Sequence, residues 1–347
     1  MHAGKTSAAT PLPDRRQNKG DTMKSISRRT FVAGGAGAAA LLALAACGGG
    51  NSGNGGSGDK TYKVGILQLT EHSALDAANK GFIAALDESG LKYEADQQNA
   101  QNDQSACATI ASKFVGDGKD LIFVIATPAA QAVAGATSDI PIVGTAITDY
   151  AGAKLVKDND KPGTNVTGTS DMNPVDEQVA MLHKVLPDAK HVGLLFASNE
   201  ANSEIQVEMA EAALDKLGLT HDRYTVSNSN EIQSVVESMV GKVDAVYTPT
   251  DNTIAAGMAQ VGQIAKESKL PIIPGEKGVC EAGGLCTLSI DYTELGHMAG
   301  EMAVKILKGE GKPEDMAIEQ EDSSKLEVVK NDEMAQALGI DLSVIDA

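Results

Sequence analysis

The sequence predicts an α/β protein made of two doubly wound parallel-sheet domains joined by a hinge. Three observations carry that prediction. From near Thr61 onward, short β-branched runs alternate with amphipathic stretches almost without interruption. Some of the short runs, such as DLIFVIA at 120–126, are apolar on both faces, as strands covered by helices on both sides must be. The run HVGLLFA at 191–197 repeats the type of YKVGILQL at 62–69, so the series restarts midway. That restart favours duplicated architecture over a single large barrel.

The elements follow in order. Residues 62–69 read as a buried strand. Residues 75–89 carry Leu75, Ala78, Phe82, Ala85 and Leu86 at helical spacing and stop at Gly90. A strand at 91–98, a helix at 104–115 and the strand at 120–126 follow. A helix at 128–136 opens with Pro in its first turn, and 141–147 (PIVGTAI) is a fourth strand. The short segment 166–169 reads as a crossing. The second series has helices at 174–185, 203–217 (closed by Gly218), 232–240 and 253–268. Its strands fall at 191–197, 222–226, 243–248, 271–274 and 285–290. A helix at 292–307, a late strand within 319–329 and a last helical stretch at 331–338 complete the chain.

Before this body lies an address. Lys24, Arg28 and Arg29 precede an uncharged run, 31–46, that is too short for a membrane span and is diluted by Gly34, Gly35 and Gly37. Ser27-Arg28-Arg29-Thr30-Phe31-Val32 resembles a twin-arginine export motif, although the general secretory route also accepts two arginines. Leu44-Ala45-Ala46-Cys47 resembles a lipobox, which implies acylation of Cys47 and cleavage just before it. Met23 is an alternative start to Met1. Residues 48–59 are nearly all Gly, Ser and Asn and read as a flexible tether with a reach of roughly 20 Å.

From Cys47 onward the chain holds 22 basic and 45 acidic residues, a formal net charge of −23. That balance argues against nucleic acid as a partner and against unaided adhesion to anionic lipid. No later apolar run approaches 18 residues, so the lipid is the expected membrane attachment. Cys280 and Cys286 flank Glu281-Ala282-Gly283-Gly284, a loop that a small disulfide could close; Cys107 would then be a lone thiol. No metal-ligand spacing, no cofactor fingerprint, no P-loop and no Gly-x-Ser-x-Gly occurs, so neither a cofactor nor catalysis is expected.

What the strands lead into is more informative. Their C-terminal ends carry His72 and Ser73; Thr127 and Ala129; Thr148 and Asp149; Asn199 and Ser203; Asp251 and Asn252; Glu276; and Asp291. Singly, such residues are helix caps first. Together they suit a zwitterion: free helix N-termini favour a carboxylate, and Asp149, Asp251, Glu276 and Asp291 could meet an ammonium. His72 reads as a capping or loop residue rather than a general base, and Asp171 and Asp176 as a solvated helix start. Tyr150 and Tyr292 could wall an apolar ligand or pack the core equally well.

Several stretches carry a family likeness. Gly65-Ile66-Leu67-Gln68 with His72 to Asp76, Ala126-Thr127-Pro128-Ala129-Ala130-Gln131, Gly163 to Gly168, Tyr247 to Thr253, and Asp291-Tyr292 with Leu295-Gly296 resemble substrate-binding lipoproteins of ABC importers, a family with tryptophan- and tyrosine-binding members. The likeness spans about 62–339. It implies a type I periplasmic-binding-protein fold with three hinge crossings, no enzymatic activity, and an amino-acid ligand, aromatic or otherwise apolar. Few aromatics (no Trp, five Phe, six Tyr) keep an aliphatic ligand open. It places an ABC permease with its ATPase as partner on the extracytoplasmic face of the membrane. It also implies domains at 61–168 plus about 292–316 and 169–291 plus about 317–347, after a leader at 1–46 and a linker at 47–60. On this reading Thr127 and Ala129 cap the carboxylate, and Asp251 with Asp149 holds the ammonium. A ligand-sensing or adhesive surface lipoprotein of the same fold is the alternative.

Overall fold

The computed structural model describes residues 60–345. The expected leader, the lipobox at Cys47 and the tether lie outside the described residues.

In the first lobe the order is β1 (Tyr62–Gln68), α1 (Ser73–Glu88), β2 (Tyr93–Asn99), α2 (Gln104–Gly116), β3 (Leu121–Ile125), α3 (Thr127–Ala136), β4 (Ile142–Ile147) and β5 (Val166–Ser170). With β11 (Glu319–Gln320) they form one parallel sheet in the order β11-β5-β4-β3-β1-β2. The polar strand YEADQQN of β2 lies at an edge, where one side needs no apolar cover, whereas every residue of the central β3 is buried. Phe82 of α1 stacks on Phe123 of β3 with centroids 3.6 Å apart.

The second lobe runs through α4 (Val175–Val185), β6 (His191–Ala197), α5 (Ala201–Leu217), β7 (Thr220–Val226), α6 (Ile232–Met239), β8 (Ala245–Thr248), α7 (Asn252–Ser268), β9 (Ile272–Pro274), α8 (Lys277–Gly283) and β10 (Cys286–Ser289). Its parallel sheet has the order β7-β6-β8-β9. Successive residues of β6 feed opposite cores: Leu194 and Phe196 pack with α4 and α5, Leu195 and Ala197 with α6 and α7. This is the period of two expected of a strand covered on both faces. Beside β9, β10 pairs antiparallel with β12 (Glu327–Lys330), and α10 (Asp332–Leu338) closes the lobe.

The chain passes between the sheets after β5, between β10 and α9 (Tyr292–Lys308), and between β11 and β12. Helix α9 returns to the first lobe and lies along α1. The two helices touch backbone to backbone, because a Cβ at Gly81 would run into the carbonyl of Thr293 and one at Gly296 into that of Ala78.

Four expectations change. The segment read as a crossing at 166–169 is the fully buried strand β5, and the crossing starts at Asp171. Strand β11 adds to the free edge beside β5, so the chain is still on the first sheet at 319–320, past the boundary expected at about 317. Residues 277–283 form a helix where a loop was expected. Cys280 and Cys286 are free, buried thiols instead of a bridge. The first sits within α8 with its Sγ 3.9 Å from the Val329 carbonyl; the second opens β10 inside the apolar core. Burial pushes both thiols up, that of Cys286 to about 12. Cys107 is buried on α2.

Candidate functional site

Loops at the C-terminal ends of both sheets converge on one narrow, largely enclosed cavity with a volume of about 10 Å³. His72, Ala74 and Leu75 line it from the start of α1, and Ala146 from the end of β4. Asn202, Thr250, Asp251, Asn252, Ala255 and Glu276 line it from the second lobe, with Asp171 and Tyr292 on the crossings. Direct bonds join the lobes around it. His72 Nε2 lies 3.2 Å from Asn252 Oδ1, and Asn102 Nδ2 donates to Thr253 Oγ1 (2.9 Å). Gln206 Nε2 donates to Thr148 Oγ1 (3.1 Å), and Gln104 Nε2 to the Asn199 carbonyl (3.3 Å).

The lining is rich in buried carboxyls. Asp171, 4 % exposed, accepts from Thr148 Oγ1 (3.1 Å) and the Tyr292 hydroxyl (3.0 Å). Burial raises its carboxyl to about 6. Glu276, 3 % exposed, caps α8 by accepting from Gly278 N (2.6 Å) and Val279 N (2.7 Å). Burial, and then the nearby Asp171 and Glu281, raise it to about 7. Asp251 caps α7 through Ile254 N (2.8 Å) and also accepts from Ala197 N (2.6 Å) and Ser203 Oγ (2.7 Å). Burial and Glu200 raise it to about 7. No Lys or Arg lines the cavity. Desolvation therefore works against the charged form of each group, with no protein cation to offset it.

The opposite wall differs. No side chain caps α1 or α3. The first-turn N–H groups of α1 begin at Ser73, beside the lining residues Ala74 and Leu75.

The predicted site residues divide accordingly. His72, Asp251, Asn252 and Glu276 line the cavity together. Thr148 and Ser203 lie behind it, bonded to Asp171 and Asp251. Ser73 lies against Gly278 on an outer groove. Thr127 and Ala129 are buried in α3 but do not line the cavity; the Thr127 hydroxyl has no hydrogen-bond partner. Asp149 turns into its own loop, accepting from Ala151 N (3.0 Å) and Asn159 Nδ2 (3.1 Å), so it is not positioned to hold a ligand's ammonium. Asn199 is exposed and touches the other lobe only through its carbonyl. Asp291 is exposed and caps α9.

Sequence reasoning missed Glu200, and it read Asp171 as solvated. Glu200, 2 % exposed, accepts from Asn252 N, Asn252 Nδ2, Thr253 N, Thr253 Oγ1 and Asn202 Nδ2 at 2.6–3.2 Å. The available signal was an acid directly before the helix at Ala201, one place beyond the amide that was chosen.

Comparison with known proteins shows the family. Residues 63–344 match the ABC transporter substrate binding protein family. A tyrosine-binding protein of Clostridioides difficile (strain R20291) is 45 % identical over 254 residues, covering 72 % of this chain and 74 % of that one. The ABC domain in complex with L-Trp from Streptococcus pneumonia is 43 % identical with a TM-score of 0.79, covering 83 % of this chain and 98 % of that one. The ligand-free, open structure of a substrate binding protein with adhesive properties from Clostridium difficile is 44 % identical, covers 81 % and 95 % of the two chains, and has a TM-score of 0.62. At nearly equal identity, this structure superposes better on the ligand-bound relative than on the open one.

Proposed function

The chain belongs to the ABC transporter substrate-binding protein family, and on that premise we propose that it captures an aromatic or other apolar amino acid between its lobes and hands it to a membrane permease driven by an ATPase. The carrying observation is the pair of buried carboxyls, Asp171 and Glu276, in a cavity with no Lys or Arg in its lining. A ligand ammonium between them supplies the missing positive charge. The uncapped start of α1 receives the ligand carboxylate on its N–H groups. This replaces the assignment of the ammonium to Asp149 and gives Asp251 a supporting part.

Contacts from both lobes favour the closed arrangement, so ligand shifts the hinge equilibrium toward the form that a permease recognises. The tyrosine-binding and L-Trp-bound relatives support an amino-acid ligand. We place the protein on the extracytoplasmic face of the membrane, held by lipid on Cys47, and read it as a binder without enzymatic activity. Calorimetry against the common amino acids is the test. Asp171→Asn and Glu276→Gln are each expected to weaken the tightest ligand by at least about thirtyfold, the cost of losing one partner of a buried charge pair. Unchanged affinity in both overturns the assignment.

The adhesive relative supports a second reading, in which the same clamp acts at a surface contact. Loss of amino-acid uptake on deletion favours transport. Loss of surface attachment with uptake intact favours adhesion.

A further inference from the structure

Two side chains bridge the lobes outside the cavity, and both leave one turn. Between β2 and α2 the chain enters the left-handed region twice in succession, at Gln101 (φ 52°) and Asn102 (φ 60°). The turn is pinned within its own lobe. Asn102 N donates to the Leu69 carbonyl (2.8 Å), Gln101 N donates to Asn99 Oδ1 (2.7 Å), and Asp103 caps α2. Held that way, it sends two amides across the cleft. Asn102 Nδ2 donates to Thr253 Oγ1 (2.9 Å), and Gln104 Nε2 to the Asn199 carbonyl (3.3 Å). None of these four residues lines the cavity.

Glu200 sets what receives them. Its Oε2 accepts from Asn252 N (3.1 Å), Asn252 Nδ2 (2.6 Å) and Asn202 Nδ2 (3.2 Å), and its Oε1 from Thr253 N (2.9 Å) and Thr253 Oγ1 (2.8 Å). Surrounded by donors, the group acts as an acceptor throughout. Thr253 therefore commits its single proton to Glu200, and its oxygen faces the first lobe as an acceptor. Asn252 is fixed in the same way: its N–H₂ is on Glu200, so its Oδ1 faces His72 Nε2 (3.2 Å). The Asn199 carbonyl, one residue before Glu200, can only accept. The rim of the second lobe thus presents acceptors, and the first lobe meets them with donors.

We infer that Asn102 and Gln104 form a latch that keeps the clamp shut without touching the ligand. Glu200 is the positioning residue that arms it, by fixing Thr253 as an acceptor. The inference rests on amino-acid capture as proposed above and deepens it. Part of the apparent affinity comes from bonds between the lobes, because whatever favours the closed form over the open one tightens a ligand held by the closed form. Asparagine at 102 has a rival explanation, since Asn tolerates the left-handed region better than most residues. Glycine separates the two: it suits that backbone at least as well and carries no amide.

The experiment is calorimetric titration with each of the common amino acids, continued in the variants with whichever binds the unmodified protein tightest. Asn102→Gly is expected to raise Kd at least about threefold, and Asn102→Gly with Gln104→Ala at least about tenfold. Thr253→Val, checked for folding by circular dichroism, removes the acceptor, and in that background Asn102→Gly is expected to raise Kd by less than about twofold. Asn102→Asp is expected to weaken binding at least as much as Asn102→Gly, because the Thr253 proton is already committed to Glu200. An unchanged Kd in the double variant, or the full effect of Asn102→Gly persisting in Thr253→Val, overturns the latch while leaving amino-acid capture intact. Asn102→Asp binding as tightly as the unmodified protein overturns the part given to Glu200. Failure of every amino acid to bind overturns the capture reading, and the latch's place in it falls too.

Discussion

The two lobes present opposite chemistry to the cavity, although both do so with the starts of helices. On the first lobe α1 begins with no side-chain cap, and its N–H groups remain as donors. On the second, α7 and α8 begin with Asp251 and Glu276, whose carboxyls satisfy those donors and add acceptors in their place. The cap therefore sets the polarity of a helix start. On the proposed reading the uncapped start of α1 takes the anionic end of the ligand and the carboxyl-capped starts of α7 and α8 take the cationic end, so that a zwitterion spans both.

The largest expected effect comes from erasing the contrast. Ala74→Asp places a carboxylate where the ligand's own is proposed to sit, and affinity is expected to fall by at least about a hundredfold in calorimetry. Asp251→Ala tests whether the second lobe's caps also hold it together. Three donors lose their acceptor, so thermal denaturation is expected to show a loss of about 2 kcal/mol.

Acid sharpens the contrast on one side only. Asp171 and Glu276 titrate at about 6 and about 7, above their ordinary 3.8 and 4.5. The folded, ligand-free protein thus holds protons that the unfolded chain has lost, and these groups make it less stable as pH rises through that window. A bound ammonium must displace those protons, so affinity is expected to weaken by at least about a hundredfold from pH 8 to pH 5, and Glu276→Gln is expected to leave only the roughly tenfold part that Asp171 carries. The smallest effect is expected at Asp149→Ala. Its carboxyl serves its own loop, and ligand affinity is expected to change by less than about threefold.

The alternation of strands and helices was legible in the sequence because burial on both faces demands apolar runs such as β3, and polar edges such as β2 show their position equally plainly. The loops that line the cavity were legible for the same topological reason. Which residue of a loop turns inward was not. Asn199 and Glu200 are adjacent, and both are plausible at a helix start; only packing against α7 buries the acid and exposes the amide. Asp171 looks solvated in one dimension. The Tyr292 hydroxyl that covers it comes from 121 residues away. The cysteine pair misled because local spacing permits a bridge, whereas a helical turn at α8 and a strand at β10 separate the roles of the two thiols.

The sealing of those thiols has a practical side. Cys107, Cys280 and Cys286 are all buried, and burial raises the pKa of each, which keeps thiolate scarce at neutral pH. In a chain carrying Cys47→Ser, a cysteine introduced at the exposed Asn199 would be the preferred target for a maleimide dye. It would sit at the rim, where Gln104 of the opposite lobe makes its contact. The clamp would then be a reagentless optical sensor whose signal follows each opening and closing of the lobes.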